Sequence, residues 1–255
     1  MINVYSLGSG SKGNSILISD GKNNILIDAG LTLKNIKKKL AELSLGLGDI
    51  SGVLITHEHG DHIRSVADIG SFLPIYSHND TIDAIRNVVG SIKCDFRPID
   101  ESPFTVWDYE ITPFCTSHDA VHPFGYVIDN GKEKFAYCTD TGFISRGVMK
   151  HLVGCKSVMI ESNHDRELLL RGPYSEKLKR RIMSDKGHLC NNETALTVCD
   201  LVKSGTERIM LAHLSEQNNL VELAYWTTVR QLTNKGIKES DVNIKVALQK
   251  ETVII

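Results

Sequence analysis

The sequence predicts an α/β fold, a sandwich of two sheets with helices outside them. Three observations lead there. Two stretches read as hairpins of one plan: "NSILISDGKNNILIDAG" turns at DGKN, and "FGYVIDNGKEKFAYCTDTG" turns at DNGK. Each ends in an aspartate, Asp28 or Asp140, at the tip of an apolar strand, an echo that suggests two similar halves packed together. The segments between and after them alternate strand-like apolar runs with helical stretches. Finally, no linker or low-complexity run divides the chain, so residues 1–255 are expected to form a single domain.

Taken in order, "LTLKNIKKKLAEL" carries Leu33, Ile36 and Leu40 near helical period. "GVLITH" is a short buried-strand run. "DHIRSVADIGSFL" is predicted as a helix, "PIYS" as a strand and "NDTIDAIRNVV" as a helix. "TVWDYEITPF" has strand composition. After Asp140, "SVMIES" is a strand and "SEKLKRRIMSD" a helix, and "NETALTVCDLVKSG" is a helix closed by a glycine. "RIMLAHLS" is a strand, and a helix "AYWTTVRQLTNKG" and a strand "NIKVALQ" complete the chain.

Bulk composition sets limits on function. With 41% hydrophobic and 24% charged residues, the chain is of ordinary globular type and long enough for a substantial core. A net charge of −2 leaves polyanion binding to local basic patches. The first residues lack a basic start followed by an apolar run, and no apolar segment approaches the roughly 18 residues of a membrane helix. A soluble, cytoplasmic protein is therefore expected, with no membrane partner. The six cysteines form no C-x-x-C pair, which argues against a zinc knuckle; five are expected to be reduced and buried, with Cys190 left open.

The chemistry concentrates in "LITHEHGDHI". His57, His59, Asp61 and His62 fall within six residues after an apolar strand, and three of the chain's ten histidines are here. Imidazole and carboxylate ligate zinc, iron or manganese. Four such groups on one segment are too many for one ion and fit two ions completed by distant residues.

"THEHGDH" resembles the H-x-H-x-D-H signature of the metallo-β-lactamase superfamily, and further matches follow in order: Asp28 in "LIDAG", His118 in "CTSHDA", Asp140 in "CTDTG" and His213 in "LAHLS". The resemblance spans nearly the whole chain and implies a four-layer αββα sandwich, the metallo-β-lactamase fold. It implies that His57, His59 and His118 hold one divalent metal ion and Asp61, His62 and His213 a second, with Asp140 bridging. Zinc, manganese and iron remain open. Two such ions can share a hydroxide that is nucleophilic at neutral pH and clamp an attacked phosphorus.

Superfamily membership does not fix the substrate. "IESNHD", "GHLCNNETA" and "AHLSEQNN" are similar to stretches of the tRNA-3′-processing, RNase Z-like phosphodiesterases, in which a glutamate and a histidine form a proton relay. Here these are Glu161 and His188, and with Asp61 they make up the expected catalytic set. A histidine held by a carboxylate can protonate the leaving alkoxide; the alternatives are an exposed helix-end histidine and a structural acid paired elsewhere. "SLGSGSKGNS", "SHDAVHPFGYVI", "ESNHD" and "LKRRIMSDKGHLCN" resemble the YycJ/WalJ branch of small bacterial metallo-hydrolases, which implies DNA 5′→3′ exonuclease activity. The branch has serine where Cys190 stands and proline where Ser175 follows Tyr174. The short hairpin between His118 and Asp140 leaves no room for the long arm of the tRNA enzymes, and the span from Asp140 to His213 is too short for a β-CASP cap.

The expected function is a dinuclear metal-dependent phosphodiesterase with nucleic acid as substrate, DNA favoured over RNA. The alternatives are a small cyclic-phosphate or nucleotide phosphodiesterase, a lactone or thioester hydrolase of the same fold, and a non-enzymatic nucleic-acid-binding module. "GSGSKGN" lacks the ending of a Walker A loop and is expected to be a tight turn between strands. Asn14 in that turn, Asn163, His164 and Asn191 are the candidate substrate-binding residues. Lys177, Lys179, Arg180 and Arg181 could receive a nucleic-acid backbone. His122 and Pro123 are expected in the site wall, His78 beside a helix cap and His151 on the surface.

Overall fold

A computed structural model describes residues 1–90 and 93–255. Among them, one sheet contains β1 (Asn3–Gly8), β2 (Ser15–Ser19), β3 (Asn24–Ile27), β4 (Val53–Leu54), β5 (Ile75–His78) and β6 (Phe96–Ile99). The other contains β7 (Phe104–Val106), β8 (Tyr109–Cys115), β9 (Phe124–Asp129), β10 (Lys134–Cys138), β11 (Ser157–Glu161), β12 (Arg208–Ala212) and β13 (Asn243–Val246). The terminal β14 (Val253–Ile254) returns to pair with β1, so the orders are β14-β1-β2-β3-β4-β5-β6 and β13-β12-β11-β10-β9-β8-β7. Helices α1 (Leu33–Glu42), α2 (Gly60–Ile63), α3 (Val66–Ile69) and α4 (Asn79–Val89) follow strands of the first sheet. Helices α5 (Arg146–Leu152), α6 (Arg166–Arg171), α7 (Glu176–Ile182), α8 (Asn191–Lys203) and α9 (Val221–Asn234) follow strands of the second.

The two halves repeat one plan. In each, an antiparallel hairpin (β2–β3, β9–β10) leads into parallel strands (β3–β6, β10–β13). Alternation along each strand divides the apolar residues between layers. Ile16, Ile18, Ile25 and Ile27 enter a core between the sheets with Tyr109, Ile111, Tyr126 and Ile128. Leu17 and Leu26 face the other way, against Ile36 and Leu40 of α1. Ala136, Val158 and Ile209 likewise meet Val198 and Leu201 of α8 and Leu232 of α9. Each fully buried aliphatic side chain contributes about 1.5–3 kcal/mol relative to exposure. The result is the expected four-layer αββα order. No helix among the described residues is long and apolar enough to cross a membrane.

Several elements differ from expectation. The helix predicted over 61–73 is broken into α2 and α3, because Ser65 N and Oγ both donate to Ala29 O (2.9 and 3.1 Å) and tie the chain to the loop after β3. The strand predicted over 105–114 is a hairpin, β7–β8, turning at Trp107, whose φ is 53°. β6, α5, α6 and β14 were not anticipated. Of the cysteines, Cys115 is exposed and Cys94 half-buried, while Cys138, Cys155, Cys190 and Cys199 are buried.

Candidate metal centre and active site

The site forms where the carboxyl ends of parallel strands from both sheets meet, the usual place for ligands in α/β folds. Asp28 follows β3, His57 lies just past β4, Asp140 follows β10, Glu161 ends β11 and His213 follows β12. Asp28, Asp140 and His213 have left-handed backbones, φ 61°, 55° and 54°. Such conformations cost of order 1–3 kcal/mol in a non-glycine residue and persist where the surroundings over-determine them. At these strand ends they turn the side chains sharply into the site.

His57 Nε2 and His118 Nε2 lie 3.1 and 3.3 Å from His59 Nδ1. A tetrahedral ion bound at about 2.0–2.1 Å sets its nitrogen ligands about 3.3 Å apart, so this triad fits one. In a second triad, Asp61 Oδ2 lies 3.6 Å from His62 Nε2 and 3.4 Å from His213 Nε2. Asp140 stands between them, Oδ2 at 3.4 Å from His62 Nε2 and Oδ1 at 3.8 Å from His118 Nε2. Asp140 Oδ2 is buried and finds no hydrogen-bond partner among the described residues, as suits an oxygen reserved for a cation. The structure thus gathers the seven residues expected as ligands into one His/Asp cluster with the donor set of divalent metal ions.

Other residues hold these rings in place by occupying the second nitrogen. His62 Nδ1 pairs with Asp28 Oδ2 at 2.7 Å, and Thr56 N donates to Asp28 Oδ1 at 2.9 Å. His118 Nδ1 donates to Gly187 O at 3.1 Å. His57 Nδ1 meets Thr56 Oγ1 at 2.9 Å. Burial by itself lowers the pKa of His62, but Asp28, Asp140 and Asp61 outweigh it and raise the imidazole to about 9. His57, buried among other histidines, is pushed down. Asp61 is held down by His62 and His213 against the opposing effect of burial.

His188 Nδ1 lies 2.7 Å from Glu161 Oε1, and Glu161 is fully buried. The same oxygen lies 2.8 Å from His213 Nδ1, and Oε2 accepts from Thr141 N and Leu189 N, both at 3.1 Å. Burial opposes charge on Glu161, yet His188 and His213 more than offset it and keep the acid ionised. His188 is neither exposed nor helical: it precedes α8, and its side chain is 12% exposed in the wall of the cleft. Gly187 makes this approach possible, since a Cβ there would fall 2.1 Å from Ile182 O.

The cleft holds about 240 Å³ and is lined by His59, Asp61, His118, Asp140, His188 and His213, together with residues that carry no motif in the sequence. Ser11, Tyr174 and Ser215 are among these; nothing but proximity to a motif could have flagged them. Arg181 also lines it, its guanidinium forked onto Asp119 (Nε–Oδ2 2.5 Å, Nη2–Oδ1 2.9 Å).

The expected substrate contacts are largely displaced. Asn163 does line the cleft, with Nδ2 donating to His213 O at 2.9 Å. Asn14 is fully buried instead: Oδ1 accepts from Gly10 N at 2.8 Å, and Nδ2 reaches toward Asp61 and His62. His164 and Asn191 are 1% and 2% exposed; Asn191 bonds Ser162 and Asn219, and burial lowers His164 to about 4. Lys179 turns inward to Leu170 O at 2.7 Å, so α7 offers the cleft Arg181 rather than a basic row. His122 faces away from the cleft and stacks on His78, which accepts from Asp80 N as the cap of α4. His151 is half-buried and stacks on Phe114. Ser175, in the place of the resemblance's proline, caps α7 by accepting from Leu178 N.

A family profile described as a Beta-lactamase superfamily domain matches residues 23–214. The chain is 38% identical over 234 residues to the exodeoxyribonuclease YycJ of Bacillus anthracis, covering 90% of this chain and 89% of that protein. It is equally 38% identical over 237 residues to the exodeoxyribonuclease WalJ of Streptococcus pneumoniae serotype 2, covering 91% and 88%. Among solved structures, the metallo-β-lactamase fold protein YhfI of Bacillus subtilis superposes with a TM-score of 0.74 at 16% identity, over 100% of this chain and 99% of that one. The fold, the His/Asp cluster and these likenesses agree, and the chain belongs to the β-lactamase superfamily of metal-dependent hydrolases, within the family of YycJ and WalJ.

Proposed function

We propose that this chain is a DNA exonuclease that hydrolyses phosphodiesters with two divalent ions, zinc, manganese or iron, and digests in the 5′→3′ direction implied by the resemblance. One observation carries the reading: a histidine–carboxylate pair, His188–Glu161, stands against a His/Asp set that divides into two triads sharing Asp140. The relatives named as exodeoxyribonucleases support DNA as the substrate. When bound, the ions would supply a water-derived nucleophile at neutral pH and neutralise charge on the phosphate oxygens.

The protein's own groups do the rest. His57, His59 and His118 would hold the first ion, and Asp61, His62 and His213 the second. Glu161 occupies His188 Nδ1, which leaves Nε2 to donate a proton to the departing sugar oxygen. Arg181 presents its guanidinium to a non-bridging phosphate oxygen. Asn163 stays a substrate contact, whereas Asn14, His164 and Asn191 position the loops around the ligands.

The modest cleft, about 240 Å³, favours a second reading, a small cyclic-phosphate or nucleotide phosphodiesterase. End-labelled single- and double-stranded DNA, RNA and a small cyclic diester, each tested with zinc, manganese and iron, separate the two. Progressive loss of nucleotides from the 5′ end of DNA supports the nuclease. Turnover of the small diester with intact DNA overturns it.

A further inference from the structure

A second group of metal-binding side chains gathers away from the catalytic cleft, where the two sheets meet. Cys115 ends β8, Glu101 lies just past β6, and His122 stands on the loop entering β9. Cys115 Sγ donates to Glu101 Oε1 at 3.4 Å and lies 3.5 Å from His122 Nε2. His78, at the end of β5, stacks on His122 with centroids 3.5 Å apart and planes 11° from parallel. Both rings meet the buried Phe124 edge to face. Asp80 Oδ2 is 3.5 Å from His78 Nδ1, and donor atoms of His78, Asp80 and His122 lie within 4.8 Å of one another.

We propose that Cys115 Sγ, His122 Nε2 and Glu101 Oε1, flanked by His78 and Asp80, form a further metal site that takes a zinc-class divalent ion. The donor chemistry points to that class: a thiolate and an imidazole select borderline-soft transition metals over magnesium or calcium. The spacing agrees, because tetrahedral zinc with bonds of about 2.3 Å to sulfur and 2.0–2.2 Å to nitrogen or oxygen sets sulfur about 3.6 Å from either neighbour. Charge agrees too. Thiolate and carboxylate together neutralise a divalent ion. On binding, the Cys115 S–H bond breaks, its proton leaves to solvent and a sulfur–metal bond forms, with no electron transferred.

The site would act as a clamp. Thr81 Oγ1 of α4 already donates to His122 O at 3.1 Å, and Val121 N donates to Glu58 Oε1 at 2.8 Å. An ion shared by Glu101 and His122 would tie the first sheet to the loop that carries the ligand His118.

Cobalt titration of the full chain tests this, with Cys115→Ser, His122→Ala and Glu101→Gln beside it. The catalytic donor set contains no sulfur, so a thiolate-to-cobalt charge-transfer band reports the proposed site alone. The wild type should develop the band as one additional equivalent of cobalt binds. Cys115→Ser should lose both the band and that equivalent while keeping its circular-dichroism melt, and zinc should bleach the band. His62→Ala, which damages the catalytic cluster, should retain it. Absence of the band at saturating cobalt overturns the proposal, as does a band that persists in Cys115→Ser. Neither outcome depends on nuclease activity.

Discussion

Glu161 holds His188 through Oε1, 2.7 Å from Nδ1, and the same oxygen holds His213 Nδ1 at 2.8 Å. One buried carboxylate thus serves the proposed proton donor and a proposed metal-ligand histidine at once. The register of the second sheet creates this sharing, since Glu161 pairs with Ala212 across β11 and β12 and so comes alongside His213.

Substitutions at the two ends of this pair should therefore differ. His188→Ala removes a proton donor and no ligand, so kcat should fall about 10²–10⁴-fold with metal content unchanged. Glu161 accepts four donors, His188, His213, Thr141 N and Leu189 N, and a glutamine would turn an NH₂ toward some of them. Glu161→Gln should lose activity and metal together and destabilise the chain by about 1–3 kcal/mol. Metal analysis of the purified variants beside single-turnover rates checks both; metal loss in His188→Ala would remove that residue from the relay.

Arg181 is the cation of α7 that lines the cleft, and Asp119, next to the proposed ligand His118, fixes its fork. Arg181→Ala should raise KM for an oligonucleotide more than for a small diester and reduce the salt slope of DNA binding by about one. Binding isotherms at several salt concentrations measure this. An unchanged slope would mean that Arg181 makes no phosphate contact.

The His/Asp cluster was legible because much of it is local. His57, His59, Asp61 and His62 share one loop, and the others stand at strand ends that apolar patterning marks. Contacts set by sheet register or by the direction of one side chain were not legible. Asn14 reads as a cleft residue by its place in a glycine-rich loop, yet Gly10 N fixes it inward. Lys179 reads as one of a basic row, yet helical phase carries it beneath the surface. The break between α2 and α3 escaped the period because the competing acceptor, Ala29 O, lies far back in the chain.

Cys190 is the N-cap of α8, and its buried sulfur is a weak acceptor for the first-turn N–H groups. Residue 190 does not reach the cleft, so the exchange of serine for cysteine there concerns the helix rather than a phosphate contact. Cys190→Ser should supply a stronger acceptor for a first-turn N–H and stabilise the protein by about 0.5–1 kcal/mol. For a chain this size the melting temperature should rise by about 1–4 °C at unchanged kcat. A lower melting temperature would show that the site favours sulfur packing over the cap.

Cys115 gives a pH prediction independent of the catalytic centre. Partial desolvation of the sulfur by its neighbours, with Glu101 adding to it, raises this thiol to about 11 although the residue as a whole is exposed. The thiolate is the nucleophile, and its fraction grows tenfold per pH unit below the pKa. Iodoacetamide should therefore label metal-free Cys115 slowly at pH 7 despite its exposure, with the rate rising about tenfold per unit to pH 10. An ordinary thiol would level off near pH 9. Glu101→Gln removes the negative charge that opposes ionisation, so labelling at pH 8 should accelerate. Peptide mapping after timed alkylation measures the rate at this residue, and a plateau at pH 9 in the wild type would show that the carboxylate does not act on the sulfur.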